Sequence, residues 1–541
     1  MEPSPPLNLK IERHWLLALL LISCLVRCWH LVTTEVTARD SIHFIRMAWQ
    51  LEHEPWKEVL SKATQHPGYP MAIMGLGKLV RPVFPEDLPF AMQISAQLVS
   101  AFASLLLIFP LFGLARSLFG PAGAALGVGL VQLLPVTARL FPDGLSEALF
   151  LFFVFSGIWL FQIGIRQERL TGLAWSGLFT GCAYLTRPEG GLVLLSCLLV
   201  GGYLLLVKQV WIMRRGRGYA LAAMSALAIA FMVPAVPYAL TIGRLTSKPT
   251  ATRILQANPV EATGRLIPGQ NHRGIQGGPV WAAWYDFKRE GAPGVAWGIW
   301  ATTGMVIRGL LFAFWLPALL AVWKYWDRIK LDPGCLVQTA VAGAVYCALV
   351  RVAANLGYVS DRHLVLIVVP ALLMAGGFLV DWYRRLWCKG NPGEIKPGWL
   401  NLERTLFIVL ALVAIVSGAK LTLEPLHANR SGFKLAGNWI RKNGQPGDEV
   451  IDPYQWAHYY AGRVFLENTK IAQVRSDPPV HWVVLEKGKS KHVRLNLPQE
   501  DQLLAKGAEL AFETVEERAS AYGGKRLLVY RVPISLPVPA K

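Results

Sequence analysis

What constrains this chain most is a series of apolar runs, each long enough to cross a hydrocarbon core of about 30 Å as a helix of about 20 residues. About eleven such runs lie near 15–32, 90–115, 121–139, 145–163, 171–186, 190–207, 219–242, 304–323, 335–354, 363–380 and 404–420. They predict an α-helical polytopic membrane protein. Composition agrees: 53% of residues are hydrophobic and 16% charged, where soluble chains average about a quarter charged. The stretch 67–82 is shorter and broken by Pro67, Pro70 and Pro82, and reads as re-entrant or interfacial. The first run, Trp15 to Val32, lacks a small-x-small cleavage site and reads as an uncleaved span.

A net charge of +19 would suggest nucleic-acid binding in a soluble protein. Here the distribution across the bilayer gives the charge another meaning. With the N-terminus in the cytoplasm, the inner segments hold Lys10, Arg13, Arg116, Arg166, Arg169, Lys208, Arg214, Arg215, Arg217, Lys324, Arg328 and Lys330. The last inner loop adds Arg384, Arg385, Lys389 and Lys396, with Arg404 at its end. The short outer loops hold little beyond Arg139, Arg187, Arg351 and Arg362. This asymmetry predicts an N-in orientation and accounts for most of the positive charge without a nucleic-acid partner.

That topology defines a membrane module over 1–420, with long outer loops at 33–89 and 243–303, and an extracytoplasmic domain over 421–541. In the latter, "VHWVVLE" and "RLLVYRV" alternate as strands do, and "SGFKLAGNWIRKNG" reads as a helix closed by Gly444. A small α/β domain is expected. The seven cysteines fall in apolar segments or basic inner loops, without CxxC or Cys/His spacing. Neither a disulfide framework nor a zinc site is indicated.

The ionisable residues gather at the outer face: Asp40, Glu54, His66, Asp143, Glu147, Arg187, Glu189, Asp361, Arg362 and His363. A transfer site acting on an anionic lipid donor needs a carboxylate base and cations that hold a phosphate. Each candidate also has a plain structural reading. "TARDSIHFIRMAWQLEHEPW" is a two-faced helix, with Ile42, Ile45 and Trp49 on one line and His43, Arg46, Gln50 and His53 on another. Asp40 at its start serves equally as an N-cap. In "QHPGYPMAI", His66 precedes a rigid turn. "FPDGLSEALF" spaces Asp143 and Glu147 one helical turn apart, on one expected face, with Asp143 as a possible cap. Arg187 and Glu189 in "YLTRPEG" suit a salt-bridged turn. Asp361, Arg362 and His363 are either membrane-surface anchors or, through the forked donors of Arg362, a phosphate site.

Together, "ARDSIHFIRMAWQ", "HPGYPMAI", "PDGLSEALF", "YLTRPEG", "SDRHLVLIVVP" and the later "AGNWIRKNGQPGDEVI" and "YYAGR" resemble the GT-C superfamily of integral-membrane glycosyltransferases. The resemblance is nearest to the bacterial branch of the protein O-mannosyltransferase and aminoarabinose-transferase families, and a bacterial inner (plasma) membrane is expected, although the sequence itself does not separate it from an endoplasmic reticulum membrane. It further implies that Asp40 is the catalytic acid–base residue, deprotonating an acceptor hydroxyl as the sugar leaves a polyprenyl phosphate with inversion. Arg362 would meet the phosphate, with His363, Arg187 and His66 as the other donor-side candidates, and the lipid tail would lie between spans. Many relatives carry Asp-Glu where this chain has Asp40-Ser41, which leaves a second carboxylate to Asp143 or Glu147. No nucleotide sugar, catalytic metal or cofactor is implied. The lipid-linked sugar is a substrate, and the acceptor is a glycan, a lipid or a protein. The competing readings are a transporter or flippase of lipid-linked sugars, and a membrane scaffold presenting the C-terminal domain.

Overall fold

A computed structural model describes residues 9–208, 212–248, 294–388, 398–445, 447–452, 454–467, 480–487, 500–505, 507–514 and 526–533. Most of the loop expected at 243–303 therefore lies outside the described residues. The described chain is a bundle of apolar helices followed by a small domain built on a mixed sheet.

Among the described residues, seven helical stretches are long and apolar enough to span a membrane: Ile11–Thr33, Leu88–Leu133, Glu147–Gln167, Arg215–Ile242, Pro333–Asn355, Arg362–Trp387 and Asn401–Asn443. The second contains the run 90–115 and most of the run 121–139, whose last residues form the separate short helix Pro135–Leu140. Gly120, at φ 72°, divides it within the gap left between 115 and 121, in a conformation that residues with a side chain rarely adopt. The run 171–186 forms a helix of 17 residues, Leu170–Thr186. The run 190–207 forms Gly190–Gly202 followed by a π turn.

One expected span is corrected. The run 304–323 is two helices, Val295–Gly309 and Trp315–Lys324, separated where Leu311 and Phe312 take φ values of 53° and 55°. The break keeps its backbone hydrogen bonds: Leu311 N–H donates to Arg308 O at 2.9 Å and Phe312 N–H to Ile307 O at 3.0 Å. Satisfied amides are what permit a helix to break in an apolar layer. The proline-rich segment forms Gly68–Val80, 13 residues and about 20 Å long. That is too short to cross, and it packs on the Arg39–His53 and Leu88–Leu106 helices.

Small residues set the helix spacing. A Cβ on Gly376 would fall 2.3 Å from the Gly127 nitrogen, and one on Gly177 would fall 2.1 Å from the Leu227 oxygen. Polar fixation comes from Arg27, which is buried on the first span. Its guanidinium donates to Ser104 Oγ (3.1 Å), Ala138 O (3.0 Å), Gln132 O (3.0 Å) and Gln132 Oε1 (2.7 Å). A cation at this depth persists because its donors are matched.

Charge pairs segregate to the two ends of the bundle. One end holds Glu12–Arg116 (2.9 Å), Lys324–Asp381 (3.1 Å), Arg215–Glu168 (3.2 Å) and the pair Arg166–Asp332. The Glu147–Gln167 helix leads from there to the other end, about 30 Å away at 1.5 Å per residue. At that other end lie the candidate residues.

The last bundle helix runs Gly398–Leu423. Beyond it, the helix Ser431–Asn443 ends at Gly444, as its sequence predicts. It buries Phe433, Ala436 and Ile440 in a core shared with Trp482, Val484, Leu527 and Val529. The sheet order is β1-β2-β4-β3, with β1 Glu449–Ile451, β2 Val480–Glu486, β3 Glu509–Glu513 and β4 Leu527–Pro533. β1 is parallel to β2, and the other pairs are antiparallel. The two alternating segments are thus β2 and β4, paired in register.

Candidate active site

The Arg39–His53 helix buries Ile42, Phe44, Ile45, Met47, Ala48 and Leu51 and leaves its polar line outward, where Arg46 pairs with Glu467 at 2.9 Å. Its N-cap position is Ala38, and no side chain caps it. The capping role open to Asp40 is therefore not the one it plays. Asp40 sits in the first turn and accepts a hydrogen bond from Arg362 Nη2. Arg362 belongs to the short turn Asp361–Leu364 at the mouth of the Val365–Tyr383 helix. The side chain of Asp361 lies outside the described residues.

Arg362 also turns its Nε toward Glu147, 3.9 Å from Oε1. Glu147 Oε1 accepts from Arg187 Nη1 at 2.7 Å, and Arg187 Nη2 reaches Glu189 at 3.2 Å. The result is one chain of alternating charge: Asp40, Arg362, Glu147, Arg187, Glu189. Lys248 and His363 lie within electrostatic reach of Arg187, Glu189 and Arg362. Among the described residues, no hydrogen bond or ion pair engages the Lys248 ammonium.

Exposure separates the carboxylates. The Asp40 side chain is 45% exposed, against 13% for Asp143 and 3% for Glu147. Glu147 is locked between two guanidinium groups, whereas Asp40 keeps an open flank. Burial pushes the Asp40 carboxyl upward, but the charge and hydrogen bond of Arg362 outweigh it and hold the group below its ordinary value. Burial, helped by the nearby Arg187, brings the Lys248 ammonium down to about 8.

The expectation that Asp143 and Glu147 share a helical face is corrected. The helix begins at Glu147, and Gly144, at φ 70°, turns the chain before it. Asp143 faces His427 instead, at 2.8 Å. Ser41, beside Asp40, is fully buried; its Oγ lies 2.9 Å from where a Gly144 Cβ would be.

His66 is buried between Tyr184 and Tyr238. Its Nδ1 is 2.7 Å from Tyr184 O, and its Nε2 is 2.9 Å from Thr246 Oγ1. A carbonyl only accepts, so Nδ1 carries the proton and Nε2 accepts from the threonine. Burial, above all, lowers this imidazole to about 4, which keeps it neutral. Thr246 Oγ1 in turn accepts from the Lys248 backbone N–H at 3.1 Å, and Tyr184 Oη donates to Leu245 O. His66 thus fastens the segment that carries Lys248.

The arrangement brings Asp40, Glu147, Arg187 and Arg362 together, adds Glu189 and Lys248, and sets Asp143 apart with His427. Lys248 and His427 escaped the sequence reading because each is a lone basic residue outside the motifs. Among the described residues, no group of three or more His, Cys, Asp or Glu side chains is arranged to hold a metal ion.

The helical bundle and the small C-terminal α/β domain agree with the fold that the GT-C resemblance implies. Residues 90–238 match the family model of dolichyl-phosphate-mannose-protein mannosyltransferases, so the chain is related to these membrane glycosyltransferases over that stretch. The crystal structure of ArnT from Cupriavidus metallidurans bound to undecaprenyl phosphate is similar, with a TM-score of 0.53 at 14% identity over 97% of this chain and 99% of that one. The apo state of the same protein gives 0.51 at 14%, over 96% and 98%. The Archaeoglobus fulgidus oligosaccharyltransferase in its apo form gives 0.51 at 12% over 84% of this chain, which spans 64% of the archaeal chain's length. No curated protein matches in sequence.

Proposed function

We propose that this integral membrane protein transfers a sugar from a polyprenyl-phosphate donor to an acceptor hydroxyl, with inversion, on the extracytoplasmic face of a bacterial inner membrane. The observation that carries the reading is Asp40: a carboxylate with an open flank, on a helix that does not span, beside a guanidinium held by a second, buried carboxylate. The acceptor O–H gives its proton to Asp40 as its oxygen attacks the anomeric carbon. The bond from that carbon to the phosphate oxygen breaks, and its electron pair leaves with the phosphate. Phosphate is already a good leaving group, so the protein mainly orients the acceptor and neutralises charge.

In this reading Arg362 and Lys248 hold the phosphate, with His363 beside them, while Glu147 and Arg187 fix the position of Arg362. His66 acts through the loop rather than on the donor. The undecaprenyl phosphate named with the ArnT structure supports a donor of this class. A transporter places its ionisable groups near the midplane, whereas these lie at one end of the bundle. The test is transfer by the purified protein from a defined polyprenyl-phosphate sugar, with anomeric configuration read by NMR. Retention of configuration, or no transfer from any such donor, would refute the reading.

A further inference from the structure

The segment leading into Asp40 is gripped by the C-terminal domain. Thr37 is fully buried, three residues ahead of Asp40. Its N–H donates to Tyr460 Oη at 3.0 Å, and its carbonyl accepts from Trp456 Nε1 at 2.8 Å. Both side chains come from the helix Trp456–Tyr460, more than 400 residues downstream. The Tyr460 hydroxyl also donates to Gln93 Oε1 at 2.7 Å, which ties Thr37 to the Leu88–Leu106 helix. One hydroxyl thus accepts once and donates once, which defines its orientation. Trp456 is itself braced, with Phe433 at 5.5 Å and Arg430 at 5.6 Å. Further along the Arg39–His53 helix that carries Asp40, Arg46 pairs with Glu467. Asp40 therefore lies between two anchor points, both supplied by the chain beyond the bundle.

We infer that Trp456 and Tyr460 are positioning residues for Asp40: the C-terminal domain sets where the base stands by holding both backbone polar groups of Thr37. This rests on Asp40 being the base, as proposed above. A covering domain needs area of contact. It does not need to read the amide and the carbonyl of one residue beside the reacting group. Displacement of a reacting group by about 1 Å can cost about a hundredfold in rate.

The neighbouring Tyr459 provides a matched control. Its hydroxyl donates to Pro89 O at 2.6 Å, so it joins the same helix to the bundle without touching Thr37. Tyr460→Phe and Trp456→Phe should each lower kcat by roughly tenfold or more, with KM for the lipid donor within about twofold. Tyr459→Phe should leave both within about twofold. Combined with Asp40→Glu, whose base is already displaced, Tyr460→Phe should add little further loss. Hydrogen–deuterium exchange of residues 37–42 provides an arm independent of activity: it should quicken in Tyr460→Phe and not in Tyr459→Phe. Equal losses in the two tyrosine variants, full additivity with Asp40→Glu, or unchanged exchange in Tyr460→Phe would each overturn the inference. Should the wild-type protein transfer no sugar, the functional reading fails, and the exchange arm still decides whether Thr37 is held this way.

Discussion

Asp40 and Arg362 meet across 322 positions of sequence, the arginine donating Nη2 to the aspartate's Oδ2 while its Nε faces Glu147. A carboxylate that belongs to a non-spanning helix is thereby referenced to two transmembrane helices. The pair also determines how the site responds to substitution and to pH.

Asp40→Asn removes the proton acceptor and keeps the size of the side chain. The helix has no side-chain cap to lose, so expression and insertion should match the wild type. Transfer should fall by about two to four orders of magnitude, the range for a lost general base. A purified-protein assay with the lipid-linked donor measures this; near-normal transfer would leave Asp40 without its role.

Arg362 controls the acid limb of the rate profile. In the wild type, its charge and hydrogen bond overcome the effect of burial and hold Asp40 below the ordinary value. The base therefore stays ionised to a lower pH than an unperturbed aspartate would. Without the guanidinium, only the weaker pull of His43 and Arg39 opposes burial, and the group rises. In Arg362→Ala the acid limb of kcat/KM should move upward, and donor use should weaken. Arg362→Lys should weaken donor use less, since it keeps the charge and loses the fork. An acid limb unmoved in Arg362→Ala would separate the two residues functionally.

Lys248 should control the alkaline side. Its ammonium, brought down to about 8 by burial and the nearby Arg187, loses its proton as pH rises through that value, and only the charged form attracts phosphate. KM for the donor should rise between pH 7 and 9 in the wild type. In Lys248→Arg it should stay level, because a guanidinium remains charged throughout. Steady-state kinetics at fixed ionic strength make the comparison.

Orientation is tested by labelling. In a cysteine-free background, Glu509→Cys should react with an impermeant thiol reagent added to intact cells, and Arg217→Cys should not. The reverse pattern would turn the site toward the cytoplasm.

The candidate site was legible in sequence where ionisable residues interrupt or border apolar runs, because water-free surroundings make such residues expensive. That logic found Asp40, Glu147, Arg187 and Arg362. It does not reach Lys248, which in sequence begins a long polar stretch where a lysine is unremarkable, or His427, which follows the last bundle helix. Spacing misled at Asp143 and Glu147 because helical phase holds only inside a helix, and Gly144 turns the chain first. The fold was legible through run length, and Gly120 falls in the predicted gap. The break at Leu311 and Phe312 was not legible, since neither residue type signals one. The grip on Thr37 joins residues more than 400 positions apart, and no local pattern encodes it.

Arg27 carries a consequence for biogenesis. Its partners Ser104, Gln132 and Ala138 lie 77, 105 and 111 residues downstream. At about 5–20 residues per second, the first helix exists for roughly five to twenty seconds before the last of them has been synthesised. During that interval the guanidinium must be sheltered by lipid headgroups, water or the insertion machinery. The guanidinium of the first span thus completes its hydrogen bonds only once the third apolar run has been made.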